Sequence, residues 1–157
     1  MATDVHDRIA ARWAALAEET TVAHGVLGLV LAPGRVPEVA RSLKSDFGFD
    51  MLLDITAVDW PEREPRFDVV YHFYSTRDFV RVRLKARVPA AAPVIETLVP
   101  LYNSARFAER ECHEMYGIEF SGNGDLRPIL LYEGFVGHPL RKDYPKNAEQ
   151  PLVPYRA

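Results

Sequence analysis

Apolar residues recur along this chain at two different periods, and each change of period marks an element. Near the N-terminus, Ile9, Trp13 and Leu16 fall at i, i+4 and i+7 with alanines between them and Asp4 placed to cap, which predicts a helix. The stretch "TVAHGVLGLVLAP" reads as a short extended pair or a single strand, closed by Pro33–Gly34. Helical spacing returns with Val39, Ala40, Leu43 and Phe47, with Pro37 in the first turn and Gly48 as the stop.

The middle of the chain switches to strand character. "FDMLLDITAVDW", residues 49–60, is a nearly continuous apolar run and predicts a strand buried on both faces. "RFDVVYHFYST" alternates, with Phe67, Val69, Tyr71 and Phe73 on one face. "FVRVRLKARV" sets Val80, Val82, Leu84, Ala86 and Val88 against Arg81, Arg83, Lys85 and Arg87. Pro93 opens a short helical piece through Leu98, and a longer helix is predicted from Ser104 to Met115 or Tyr116, stopped by Gly117. The expected class is α+β: an N-terminal helix, a mixed or antiparallel sheet of about four strands with helices packed on one face, and a long extended C-terminal arm.

That arm is where periodicity ends. From Gly117 to Ala157 there are five Gly and five Pro in 41 residues, yet Phe120, Leu126, Ile129, Leu130, Leu131, Tyr132, Phe135, Leu140 and Tyr144 interrupt them. Apolar anchors on a proline-stiffened segment fit an arm that drapes over its own domain or docks on a partner. Residues 1–117 therefore read as the α+β unit, and 118–157 as a partner-docking arm of the same structural unit.

Composition narrows the functions. A length of 157 residues suits one domain, and a net charge of −3 with a pI near 5.9 argues against a general nucleic-acid binder. On "RVRLKAR", a solvated sheet face, or one meeting an acidic partner, is favoured over a nucleic-acid stripe, because no aromatic ladder accompanies the charges. Cys112 is the one cysteine, so the chain lacks the thiolates of an ordinary iron–sulfur cluster. The N-terminal residues resemble neither a signal nor a transit peptide, and no window approaches eighteen consecutive apolar residues, so membrane association is expected only through a partner.

Two stretches carry the candidate chemistry. In "ERECHEMYGI", residues 109–118, helical spacing puts Ala105, Ala108, Cys112 and Met115 on an apolar stripe, with Glu109 and Glu111 at its borders and Arg110 in reach of Glu114 at i, i+4. The sequence is not HExxH, because Gly117 stands four after His113, and adjacent helical positions separate Cys112 from His113. Neither a metal nor a catalytic site is expected. In "GHPLRKDYP" the charges of His138, Arg141, Lys142 and Asp143 beside two prolines read as ion pairs that fix an arm's path.

Taken together, "ERECHEMYGIEFSGNGDLRPILLYEGFVGHPLRKDYP" resembles the diagnostic region of the 30-kDa (C-type) subunit family of respiratory complex I, the NADH:quinone oxidoreductase. "LLDITAVDW" and "FDVVYHFYS" look like that family's central strands. The family usually has an aromatic–aspartate pair where His113–Glu114 stand, His-Pro where Asn123–Gly124 stand, and often an Arg at Pro128. The resemblance implies a structural subunit of the hydrophilic arm, peripheral on the cytoplasmic side of the bacterial membrane, without catalytic activity of its own. It implies no cofactor in this chain, with FMN, iron–sulfur clusters, NADH and quinone held by partner subunits, and no nucleic acid. The implied partner is the 49-kDa (D-type) subunit of complex I, alongside other hydrophilic-arm subunits. Docking would fall to Glu109, Arg110, Glu111, Asp125, Arg127, His138, Pro139, Arg141, Lys142, Asp143 and Tyr144. An alternative parent is a related membrane-bound hydrogenase, coenzyme-F420 dehydrogenase or ferredoxin–plastoquinone complex.

Overall fold

A computed structural model describes residues 2–147. Helix α1 (Ala2–Trp13) leads into a hairpin of β1 (Glu19–Ala23) and β2 (Val26–Leu31), followed by α2 (Val36–Ser45). Three long strands follow, β3 (Met51–Asp59), β4 (Phe67–Ser75) and β5 (Val80–Val88), then a short β6 (Val94–Glu96), α3 (Ala105–Tyr116) and β7 (Glu119–Ser121). The main sheet is five-stranded, in the order β1-β2-β5-β4-β3. All neighbours in it are antiparallel except β2 and β5.

The extended pair is thus a hairpin, turning at His24 (φ 52°) and Gly25 (φ 73°). All three helices pack on one face of the sheet. Val5, Ile9 and Trp13 of α1, Val36, Val39 and Leu43 of α2, and Ala105 and Cys112 of α3 join a single apolar cluster with the inward residues of every central strand. Val30 and Val70, which point the other way, lie outside that cluster.

Two expectations are corrected. Strand β3 is an edge strand buried on one face, with Met51, Leu53 and Val58 exposed. Its register against β4 shifts between Leu52 and Asp54, so Leu53 is an extra residue, and the inward set runs Leu52, Ile55, Ala57, Asp59. The bulge breaks the strict alternation that would have revealed a one-sided strand. The segment after Pro93 is not helical: Val94–Glu96 forms a two-stranded parallel sheet with β7. Ile95 faces inward there, and three residues carry too little pattern to separate a strand from one helical turn.

Candidate functional site: the arm and the end of α3

The last turn of a helix leaves four carbonyls without an intrahelical donor. In α3 all four are taken. Gly117 N–H donates to His113 O (2.7 Å), His138 Nδ1 pairs with Glu114 O (2.9 Å), Leu140 N–H donates to Met115 O (3.2 Å) and Arg141 Nε donates to Tyr116 O (2.5 Å). Three of these partners lie in the arm, more than twenty residues further along the chain. Two are side chains that carry or can carry positive charge, which the negative end of the helix dipole favours.

Gly117 makes this possible twice over. Its φ of +73° is left-handed, and a Cβ there would stand 2.5 Å from both Arg141 Nη2 and His138 Nε2. The helix stop expected at Gly117 is therefore also the floor on which the arm's basic side chains lie.

The side chains of α3 hold the earlier part of the arm. Glu114 accepts three successive backbone N–H groups, from Ile129 (3.0 Å), Leu130 (2.8 Å) and Leu131 (3.2 Å). Arg110 donates to the carbonyls of Arg127 (2.9 Å) and Pro128 (3.1 Å). The expected Arg110–Glu114 pair does not form, because each finds main-chain partners in an arm that the helical wheel omits. His113 Nδ1 reaches Ile118 O at 2.8 Å.

A second anchor holds the arm to the sheet. Asp59, on the inward face of β3, has a fully buried side chain bound through both oxygens by Arg66 (2.7 and 2.8 Å). It also accepts the backbone N–H of Lys142 (2.7 Å), while Arg66 reaches on to Asp143 (2.8 Å). The guanidinium of Arg66 holds the carboxyls of Asp59 and Asp143 below the usual range. The Arg66 and Arg141 guanidinium carbons lie 5.1 and 5.2 Å from the centre of the Phe67 ring, fixing where the arm crosses β4.

Glu109 is turned inward and fully buried, so it is not a border acid. It accepts from Thr97 Oγ1 (2.6 Å), Leu98 N–H (2.7 Å) and Asn123 Nδ2 (2.9 Å), tying the β6 and β7 segments to α3. Burial pushes its carboxyl up despite those three donors. Cys112 is buried as the helical spacing predicts, and burial pushes its thiol well up.

The residues predicted for docking fall into distinct groups. Arg110, His138 and Arg141 are half-buried and bind the arm's own path, as does Asp143 through Arg66. Asp125 and Arg127 pair with each other (2.8 Å), and the arginine draws the Asp125 carboxyl down. Tyr144 is half-buried and stacks on Phe135 at 6.1 Å, with Pro139 half-buried nearby in sequence. Glu111 and the Lys142 side chain are exposed and make no ion pair among the described residues. Sequence reasoning missed Glu114, Asp59, Arg66 and Asn123. One signal was available: Asp59 shares the inward set of β3 with Ile55 and Ala57, and an inward carboxylate requires a partner.

The arm leaves apolar side chains outside. Ile129, Leu130, Tyr132, Val136 and Leu140 are all at least 40% exposed, on a segment whose backbone is already anchored. No group of three or more His, Cys, Asp or Glu that could hold a metal occurs among the described residues. No helix of these residues is long and apolar enough to cross a membrane.

Residues 29–150 match the family described as respiratory-chain NADH dehydrogenase, 30 Kd subunit. The chain belongs to this family. The NADH-quinone oxidoreductase C subunit from Agrobacterium fabrum is 48% identical over 126 residues, 79% of this chain and 62% of that protein. The NADH-quinone oxidoreductase C/D subunit of Bdellovibrio bacteriovorus is 45% identical over 114 residues, 73% of this chain and 20% of that protein. This chain spans about three fifths of the length of the curated relatives it matches first. Among solved structures, a trypsin-resistant fragment of Nqo5 has a TM-score of 0.68 at 31% identity, covering 80% of this chain and all of the fragment. A chain of an archaeal respiratory membrane complex, the membrane-bound sulfane sulfur reductase, gives 0.81 at 26% identity, covering 93% of this chain and 86% of that one. The sequence resemblance to the 30-kDa subunit family therefore holds, and so does the α+β architecture expected from it, with five strands in the main sheet. The proposed end of the arm, residues 148–157, lies outside the described residues.

Proposed function

We propose that this chain is a structural subunit of the peripheral arm of an NADH:quinone oxidoreductase, held on the 49-kDa-type subunit through its anchored C-terminal arm. It carries no cofactor and no activity of its own, and meets the membrane only through the complex, on the cytoplasmic side. The observation that carries this reading is the arm itself. Its backbone is fixed to α3 and β3 by polar bonds, while Ile129, Leu130, Val136 and Leu140 stay exposed. A pre-organised segment presenting apolar side chains loses little entropy on docking. The C/D relative favours the 49-kDa (D-type) partner, since that protein's name joins the two types. Glu111, Lys142 and Arg127, exposed around the arm, are the charges available to a partner's surface.

Mixing the full chain with the 49-kDa-type subunit of the same organism tests this. A stable 1:1 complex is expected, weakened at least about ten-fold by Leu130→Asp or Leu140→Asp, whose side chains the fold does not bury. Failure of the native chain to bind would overturn the reading. A second reading, the equivalent subunit of a related membrane-bound reductase or hydrogenase, is favoured by the sulfane sulfur reductase likeness. Deleting the gene separates the two: loss of membrane NADH:quinone activity supports the first, and its retention the second.

A further inference from the structure

The sheet face that no helix of the described residues covers carries four basic side chains from its middle strand. Alternation along β5 turns Arg81, Arg83, Lys85 and Arg87 outward, and the register sets them in rows across the strands. One row runs Val26–Arg81–Tyr74, the next Thr21–Gly28–Arg83–His72–Asp54, and the next Glu19–Val30–Lys85–Val70–Thr56. Arg87, in the last row, is neutralised by Glu18 (3.2 Å), Glu19 and Asp68 (3.8 Å). Arg81, Arg83 and Lys85 have no carboxylate within ion-pair distance among the described residues. Arg81 lies over the Tyr74 ring (5.9 Å), and the Nε of Arg83 is buried without a hydrogen-bond partner.

The floor of this face is shaped as well as charged. Gly28 leaves room for Thr21, whose Oγ1 would stand 2.7 Å from a Cβ at position 28. A depression of about 60 Å³ opens there between Glu19, Thr21, Val30, Arg83 and Lys85, with the Glu19 carboxylate already paired to Arg87. Val30 and Val70 flank Lys85 and are buried although no helix covers them, in keeping with long basic side chains lying along apolar surface. At the centre, His72 is held below its usual range by burial first and then by Arg83, with Arg81 and Lys85 adding and Asp54 opposing.

We propose that this face is a docking surface for an extended acidic segment of a partner polypeptide, whose carboxylates at alternate positions meet Arg81, Arg83 and Lys85. Alternate residues of a strand stand about 6.6 Å apart, so the three cations and a run of alternating acids share one spacing. Arginine's fork binds a carboxylate through two bonds, and the depression beside Arg83 and Lys85 has the size of one. A nucleic-acid strand fits less well. Binding it without sequence preference relies on exposed rings for base stacking, and Tyr74 is already covered by Arg81. The face looks away from α3 and from the described part of the arm, so this inference stands whether or not the arm docks on the 49-kDa-type subunit.

Titrating the isotope-labelled full chain at low salt with the heptapeptide Glu-Thr-Glu-Thr-Glu-Thr-Glu, blocked at both ends, decides it. Amide shifts are expected along β5 and the facing part of β4, and the His72 ring should titrate at higher pH in the bound chain. Arg83→Gln with Lys85→Gln should weaken binding at least about ten-fold, and Arg106→Gln, on α3, should leave it unchanged. If the double variant loses the native amide spectrum, Lys85→Gln alone carries the test, with a loss of about three-fold or more. Absence of binding, shifts confined to the arm, or equal binding of the all-Gln peptide would overturn the proposal. So would tighter binding of an oligothymidylate or of phosphatidylglycerol vesicles.

Discussion

In the sheet layer Phe67, Tyr71 and Phe73 lose all exposure, while in the arm Leu130 and Val136 keep 62% and 76% of theirs. The two regions are held by opposite means. The layer is fixed by apolar side chains and leaves its polar backbone to the strand ladders. The arm is fixed by its polar backbone, delivered to Glu114, Arg110 and Asp59, and by His138, Leu140 and Arg141 at the end of α3, and leaves much apolar surface outside. Dry packing over a broad area gives a cooperative unit, whereas a few polar anchors give a segment that can be released alone.

The largest effect should come from the layer. Phe73→Ala removes a fully buried ring that packs against Tyr71 and Tyr102, and should cost about 3–5 kcal/mol in urea unfolding, lowering core and arm together. Next is Glu109→Ala, which strands the buried donors of Thr97 and Leu98 and should cost about 1–3 kcal/mol. Because burial raises this carboxyl, the folded chain holds its proton more tightly than the unfolded one. Its contribution is greatest below the ordinary glutamate value and falls as pH rises through the raised value, and Glu109→Gln should remove that slope from a series of urea midpoints.

Gly117→Ala forces a left-handed alanine against Arg141 and His138, and should cost more than about 1 kcal/mol, read locally. Amide exchange should quicken at Leu140, Lys142 and Tyr144 while β4 and β5 keep their protection; equal loss in both regions would show that they unfold as one. Acid should act on the same region with the opposite sign to Glu109. Arg66 lowers Asp59, so its stabilisation is complete above the ordinary aspartate value and is lost as pH falls through the lowered one. Asp59→Asn should therefore flatten the acid-side increase in arm exchange, the smallest of these effects.

What was legible in the sequence follows the same division. Tyr71, Val82 and Cys112 could be placed from period alone, because burial in a layer repeats with the element. Leu53 could not, since a bulge inserts one residue without a compositional mark. The arm's anchors were hidden for a different reason. Glu114 and Asp59 act on backbone groups fifteen and eighty-three residues away, and any residue can supply an N–H. Family resemblance located the segment, and only the folded chain shows which side chains hold it. Glu109 shows the reverse error: a helical wheel treats it as a border acid, while Thr97, Leu98 and Asn123, invisible to the wheel, enclose it.

The capped end of α3 also bears on the order in which the chain is made. A ribosome delivers the helix first, with the carbonyls of Glu114, Met115 and Tyr116 open to water, and their partners only when residues 138–141 emerge. Until then the last turn of α3 is unfinished, and synthesis that stops short of His138 leaves it so. The helix is thus completed by the segment that it later supports, and closure of that end marks, within one nascent polypeptide, that residues 138–141 have arrived.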